Sequence, residues 1–142
     1  MESRQIEFSQ DQQPEIAMFL TERINEFNAA TTGFEGEEFA CVVRDDGGRI
    51  IAGANGNTWG GWCFVANLWV HESARHQGLG TALVAAVEKH SLSKQCPHIV
   101  LTSHTFQAPD FYKRLGFVEF GRIANYPIGH ADVVLTKTLT TT

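Results

Sequence analysis

The stretch that most constrains this chain is Leu68-Trp69-Val70-His71-Glu72-Ser73-Ala74-Arg75-His76-Gln77-Gly78-Leu79-Gly80-Thr81, where a strand pattern turns into a helix pattern within a few residues. Residues 62–70 carry bulky side chains at both odd and even positions, as a strand buried in the middle of a sheet does. Beyond them Leu79, Ala82/Leu83, Ala86/Val87 and His90 recur at spacings of three and four, which predicts a helix over about 79–91. Arg75-x-x-Gly78-x-Gly80 sits at the junction. Glycines there let backbone N–H groups approach an anion, the helix N-terminus adds partial positive charge, and Arg75 and His76 bring further donors. No carboxylate stands in the helix between Gly78 and Val87, although acidic residues favour an empty first turn. A pyrophosphate cradle built from Arg75, His76, Gln77, Gly78, Leu79, Gly80 and Thr81 meets these requirements; the alternative is a Gly-rich turn that only caps the helix. Neither the Gly-x-Gly-x-x-Gly fingerprint nor the Gly-x-x-x-x-Gly-Lys-Ser/Thr loop is present, so the commoner nucleotide folds lose support.

Around this junction the chain alternates helix and strand signals. Ile6-Glu7-Phe8 reads as a short first strand, and Pro14 opens a helix over about 14–28 with an apolar stripe of Ile16, Phe19/Leu20, Ile24 and Phe27, ended by Thr31-Thr32-Gly33. Residues 39–43 and 50–54 are β-rich runs joined by Asp45-Asp46-Gly47-Gly48, strong hairpin chemistry because Gly and Asp tolerate positive φ. After the Trp59-Gly60-Gly61 turn comes the long strand 62–70, then the helix, then a strand at 99–102. A short helix over 109–115 stops at Gly116, and closing strands follow at 117–121 and 132–138. The order predicts an α/β fold: a mixed central β-sheet flanked by helices on its two faces.

Composition excludes several classes. A chain of 142 residues is the size of one domain, so a single domain is expected. Cys41, Cys63 and Cys96 are widely spaced without a Cys-x-x-Cys pair, which predicts reduced thiols and no zinc knuckle; His71 and His76 share no helical face, so no metal is assigned. A formal net charge of −5 argues against nucleic-acid binding. The opening residues lack a signal-peptide pattern and no run approaches the ~18 apolar residues of a membrane span, so a soluble, cytoplasmic protein without a membrane partner is expected.

With both motifs in view, the chain resembles the GNAT superfamily of acetyl-CoA-dependent N-acetyltransferases. The family's Arg/Gln-x-x-Gly-x-Gly/Ala signature is met by Arg75, Gly78 and Gly80 after a strand ending in Val70, and Ala108-Pro109-Asp110-Phe111-Tyr112-Lys113-Arg114-Leu115-Gly116-Phe117 is similar to the family's short helix and the strand entry after it. The resemblance spans nearly the whole chain, though the first third carries few diagnostic residues. It implies a sheet splayed between its fourth and fifth strands, here 64–70 against 99–104, with the pantetheine arm of acetyl-CoA in the gap. It also implies that backbone groups of Leu68, Trp69 and Val70 bind pantetheine and polarise the thioester carbonyl, where fixed N–H donors are worth several kcal/mol.

The same resemblance gives direct attack of a neutral amine on the thioester, with Tyr112 as the general acid that protonates the departing thiolate. A phenol of pKa ~10 is protonated at neutral pH, though donating to a thiolate whose conjugate acid titrates near ~8.5 is uphill on solution values. Without the surrounding motif, Tyr112 would read as a core aromatic. A lysine-like acceptor of pKa ~10.4 must first lose a proton, at about 4–5 kcal/mol at pH 7. Many family members carry a Glu on the fourth strand for that purpose, whereas Phe64 and Ala66 stand here and the strand has no carboxylate. His104 is one replacement base; Glu22, Glu26, Glu37 and Asn67 acting through water are the others. Trp59, Trp62, Trp69 and Tyr126 offer aromatic walls for a cationic or planar acceptor, or belong to the core. The loop Asn125-Tyr126-Pro127-Ile128-Gly129-His130 corresponds to one that borders the acceptor and commonly meets a second subunit in this superfamily, which allows a homodimer. The expected acceptor is an amine-bearing small molecule. The rivals are acetylation of a protein or peptide, and a non-catalytic coenzyme A-binding sensor, which the missing strand carboxylate favours and Tyr112 opposes.

Overall fold

The computed structural model describes residues 3–140. Its contacts divide the chain into two compact units, one up to Glu35 and one from Gly36 on.

The first unit holds α1, Pro14–Thr32, with Pro14 at a first-turn position where its missing N–H is no loss. Gly33 closes the helix at φ +78°, its N–H on the Ala29 carbonyl at 2.8 Å, and Arg23 pairs with Glu26 on the helix surface at 2.6 Å. The strand expected at Ile6-Glu7-Phe8 is not formed. Those residues run as irregular chain, because a three-residue run acquires strand hydrogen bonds only against a partner edge, and no strand of the sheet pairs with it.

The second unit is a six-stranded mixed sheet with flanking helices. In chain order it comprises β1 (Glu37–Arg44), β2 (Ile50–Trp59), β3 (Trp62–Val70), a single 3-10 turn (Glu72–Ala74), α2 (Leu79–Ser93), β4 (His98–His104), α3 (Pro109–Arg114), β5 (Val118–Ala124) and β6 (Ala131–Thr138). The strands lie in the order β1-β2-β3-β4-β6-β5, so β3 and β4 are central, and they form the parallel pair of an otherwise antiparallel sheet. A parallel connection needs a crossover, which α2 provides. The strands expected as fourth and fifth are therefore β3 and β4. Alternation along them sends Cys63, Val65, Ile99 and Leu101 to one core, where Val133 and Leu135 of β6 meet Val84 and Val87 of α2, Tyr112 of α3, and Phe117.

Two irregularities in this regular frame shape the site. β2 continues through Asn55, Gly56 and Asn57, past the end expected at Ala54. The β2–β3 register shifts there: Asn55 pairs with Asn67 but Gly56 with Val65, leaving Ala66 as the extra residue of a bulge. Gly56 is required by that bulge, since a Cβ on it would stand 1.9 Å from the Phe64 carbonyl oxygen. On its other side β3 pairs with β4 only at Trp62–His98, Cys63–Ile99 and Phe64–Val100, and beyond these the two strands part. Cys63 and Cys96 are buried, Cys41 is partly buried, and all are free thiols. Among the described residues, no helix is long and apolar enough to cross a membrane.

Candidate functional site

Where β3 and β4 separate, a cleft of about 910 Å³ opens between them. Its wall follows β3 from Val65 to Val70, crosses to Leu101, Thr102 and Ser103 of β4, and is closed by the α2 N-terminus and by Phe111 and Tyr112 of α3. The cradle residues Arg75, His76, Gly78, Leu79, Gly80 and Thr81 line its rim, as do Leu68, Trp69 and Val70. Gln77 does not; its side-chain amide turns back toward the Ser73 carbonyl at 3.5 Å.

The conformation of the loop follows from its sequence. His71 accepts the Ser73 N–H on its Nδ1 at 3.0 Å and so starts the 3-10 turn. His76 and Gly78 both take the left-handed region, at φ +63° and +79°. The His76 conformation is one that a non-glycine residue rarely adopts. No other group lies within 4 Å of where a Gly78 side chain would begin, so the loop presents bare backbone to the cleft at that point. Gly80 serves a different need: a Cβ there would press on the Phe111 ring at 3.0 Å, so its absence lets α3 close against the start of α2. Arg75 donates from Nε to the Val70 carbonyl at 3.2 Å, which ties the guanidinium to the end of β3. The first turn of α2 contains no acidic residue. Open N–H groups, a helix N-terminus and an anchored guanidinium suit a bound pyrophosphate.

Tyr112 is buried on α3, with its ring edge-on to Phe111 and Phe117 at centroid distances of 5.0 and 5.7 Å. Burial raises its pKa, so the hydroxyl keeps its proton throughout the neutral range. His104, at the end of β4, stands outside the cleft wall. Strand alternation turns Ser103 toward the core and His104 to the opposite face, where its ring stacks on Phe106, itself a cleft residue, at 5.5 Å and 1°. Its Nδ1 lies 2.9 Å from the Tyr126 carbonyl oxygen, and Tyr126 also packs its ring on His104 at 5.3 Å. The β5–β6 loop is thereby joined to the end of β4, and the Phe106–His130 contact at 4.9 Å extends the aromatic cluster. Thr105 strengthens the connection, its N–H donating to the Ala131 carbonyl and its hydroxyl accepting the Ala131 N–H.

Of the other base candidates, Asn67 is taken up by Asn55, whose Oδ1 accepts its side-chain N–H at 3.0 Å, and Glu37 pairs with Lys94 at 2.7 Å. Glu26 is held by Arg23, with Glu22 beside the same guanidinium at 3.7 Å. The lysine pair holds the Glu37 carboxyl below its ordinary range, as Arg23 does for Glu26. Among the described residues no cluster of His, Cys, Asp and Glu is arranged to hold a metal ion. Residue patterns alone did not single out Phe106, the Ala66 bulge or Asp132. Asp132 did leave a signal, as an ionisable residue inside the apolar run Ala131-Asp132-Val133-Val134-Leu135.

Comparison with known proteins bears on this geometry. The model of the acetyltransferase (GNAT) family matches residues 4–117. A blasticidin-S acetyltransferase of Streptomyces morookaense is 33% identical over 104 residues, covering 72% of this chain and 76% of its own. The crystal structure of an acetyltransferase from Bacillus cereus superposes with a TM-score of 0.77 at 30% identity, over 94% of this chain and 98% of that one. A second solved structure, from Agrobacterium tumefaciens, reaches a TM-score of 0.87 at 23% identity over 96% of this chain and 100% of that one, a likeness of fold.

Proposed function

This chain belongs to the acetyltransferase (GNAT) family, and from that premise we propose that it moves the acetyl group of acetyl-CoA to a primary amine of a small molecule by direct attack in a ternary complex. The observation that carries the reading is the parting of β3 and β4 after Phe64 and Val100, which leaves a cleft of about 910 Å³ running from the Arg75–Gly80 loop to Tyr112. When bound, acetyl-CoA supplies an acetyl thioester. Backbone N–H groups from His76 to Thr81, with the Arg75 side chain, hold the pyrophosphate; Leu68, Trp69 and Val70 hold the pantetheine arm and polarise the carbonyl.

Tyr112 holds a proton at its hydroxyl and gives it to the departing sulfur. Burial makes this phenol a weaker acid than one in water, so the donation must accompany cleavage of the C–S bond. The acceptor reaches the thioester from the sheet face that carries His104. There His104 Nε2 takes the first proton of the acceptor ammonium and passes it to water, and the second N–H proton, lost as the amide forms, restores the Tyr112 hydroxyl. His104 is favoured over Asn67, Glu22, Glu26 and Glu37 because those side chains are engaged with other residues or share a cation, whereas the His104 ring makes its contacts to the Tyr126 carbonyl and Asp132 through Nδ1.

A small-molecule acceptor is supported by the relative named for blasticidin S. The test is thiol release from acetyl-CoA with a panel of blasticidin S, aminoglycosides, polyamines and peptides. The reading expects release that depends on a small amine. Release with peptides alone would shift the acceptor class, and tight coenzyme A binding with no release for any amine would identify a sensor.

A further inference from the structure

The buried polar side chains of the described residues are Thr58, Ser91, Ser103 and Asp132, and of these Asp132 is the one with a carboxyl group. Asp132 sits on β6 directly across the ladder from His104 and, on its other side, across from Ile123 of β5. It is 7% exposed, and its Oδ1 has no hydrogen-bond donor. The basic side chain beside that oxygen is the His104 ring, with Nδ1 at 3.4 Å. Three basic side chains of neighbouring elements are occupied elsewhere: Arg122 and Lys113 hold Glu119, and Lys137 holds Glu88. The other titratable groups of this corner, Tyr126 and His130, come from the β5–β6 loop, and His130 faces Thr105 and Phe106. A buried carboxylate oxygen without a donor is unfavourable unless a cation completes it.

The second observation fixes the ring. A backbone carbonyl oxygen only accepts, so the 2.9 Å contact from His104 Nδ1 to the Tyr126 oxygen assigns a proton to Nδ1. On a neutral ring Nε2 is then an unprotonated lone pair. We propose that Asp132 is a positioning residue for the transfer: together with the Tyr126 carbonyl it keeps His104 in the Nδ1–H form with Nε2 free, and it is the counter-ion of the ring once Nε2 has taken a proton. In that step an N–H bond of the acceptor ammonium breaks, an Nε2–H bond forms, and the positive charge moves from the acceptor to a ring 3.4 Å from the carboxylate. The proposal rests on the reading of His104 as the proton acceptor.

Nitrogen NMR of protein labelled at histidine, recorded at about pH 8.5, above the ordinary imidazole range, tests it without any acceptor. With the His104 signals assigned by their loss in His104→Gln, the wild type is expected to show protonated Nδ1 and bare Nε2, whereas an unrestrained imidazole favours the opposite form. Asp132→Asn keeps the size and removes the charge. It is expected to mix the two forms and to lower kcat with blasticidin S, or with the panel amine turned over fastest, by roughly 10- to 100-fold, the scale of loss when a group orienting a metal-bound histidine is removed. KM should change less. A wild-type His104 protonated at Nε2 would overturn the proposal, as would an Asp132→Asn enzyme with unchanged tautomer and kcat. Should the tautomer depend on Asp132 while His104→Gln turns over like wild type, the base assignment fails and the catalytic purpose of Asp132 fails with it, although the pairing itself stands.

Discussion

Among single residues, the chemistry of each reacting group is set by where the backbone leaves it. Tyr112 was legible in the sequence because Phe-Tyr-x-x-x-Gly-Phe fixes both its ring neighbours and the turn after it, and the structure finds those neighbours packed on its ring. Its role is a proposal that one atom tests. Tyr112→Phe keeps the packing ring and deletes the proton donor, so turnover in single-turnover conditions is expected to fall about 10²–10⁴-fold while coenzyme A affinity and melting temperature stay near wild type. Acetylation at the wild-type rate would make Tyr112 a lining residue. Asp132 was less legible, since one charged residue in a strand pattern does not say what faces it. Only the β4–β6 register, which sets His104 opposite Asp132, supplies that information.

At the scale of elements the strand–loop–helix junction was read almost to the residue, with β3 at Trp62–Val70 and α2 starting at Leu79. Its signals are local: periodicity changes abruptly, and Gly78 must take positive φ. β2 extends beyond its expected end because Asn55 and Gly56 look like chain breakers when the bulge they accommodate lies on another strand. Ile6-Glu7-Phe8 failed for the converse reason: β propensity is local, whereas pairing needs an edge. A side chain at Gly78 enters the left-handed region at a strain cost and, as Glu, sets a negative charge against the anion's place. Saturating coenzyme A should raise the melting temperature of the wild type by several degrees and that of Gly78→Glu much less, since a ligand of the native state stabilises by mass action. Equal shifts in both proteins would remove the loop from the site.

For the whole molecule, the sheet is stable for the same reason that it can be split. The core gathers at Cys63, Val65, Ile99, Leu101, Val133 and Leu135, so the hydrogen bonds that β3 and β4 lack beyond Phe64 and Val100 are lost next to a packed layer. Burial of Cys63 in that layer pushes its thiol from 9.0 up to about 11, against a smaller opposing effect of the Ser91 hydrogen bond. The neutral thiol is therefore favoured by folding. Its contribution is complete below about pH 9, where the unfolded thiol is still protonated, and is lost as pH rises toward about 11; Tyr112, raised by burial, acts in the same direction. Wild type should lose on the order of 2 kcal/mol through this thiol across that window, and Cys63→Ala should lack that part of the alkaline decline; parallel urea-denaturation profiles from pH 8 to 11 would show that burial does not perturb the thiol. The central claim, that the parting of β3 and β4 is the acetyl-donor site, is tested most directly by a crystal structure of the protein grown with coenzyme A. The pyrophosphate is expected on the N–H groups of the Arg75–Gly80 loop and the pantetheine arm between β3 and β4, with its sulfur near Tyr112. Coenzyme A bound elsewhere, with the cleft between those strands closed or filled by side chains, would contradict it.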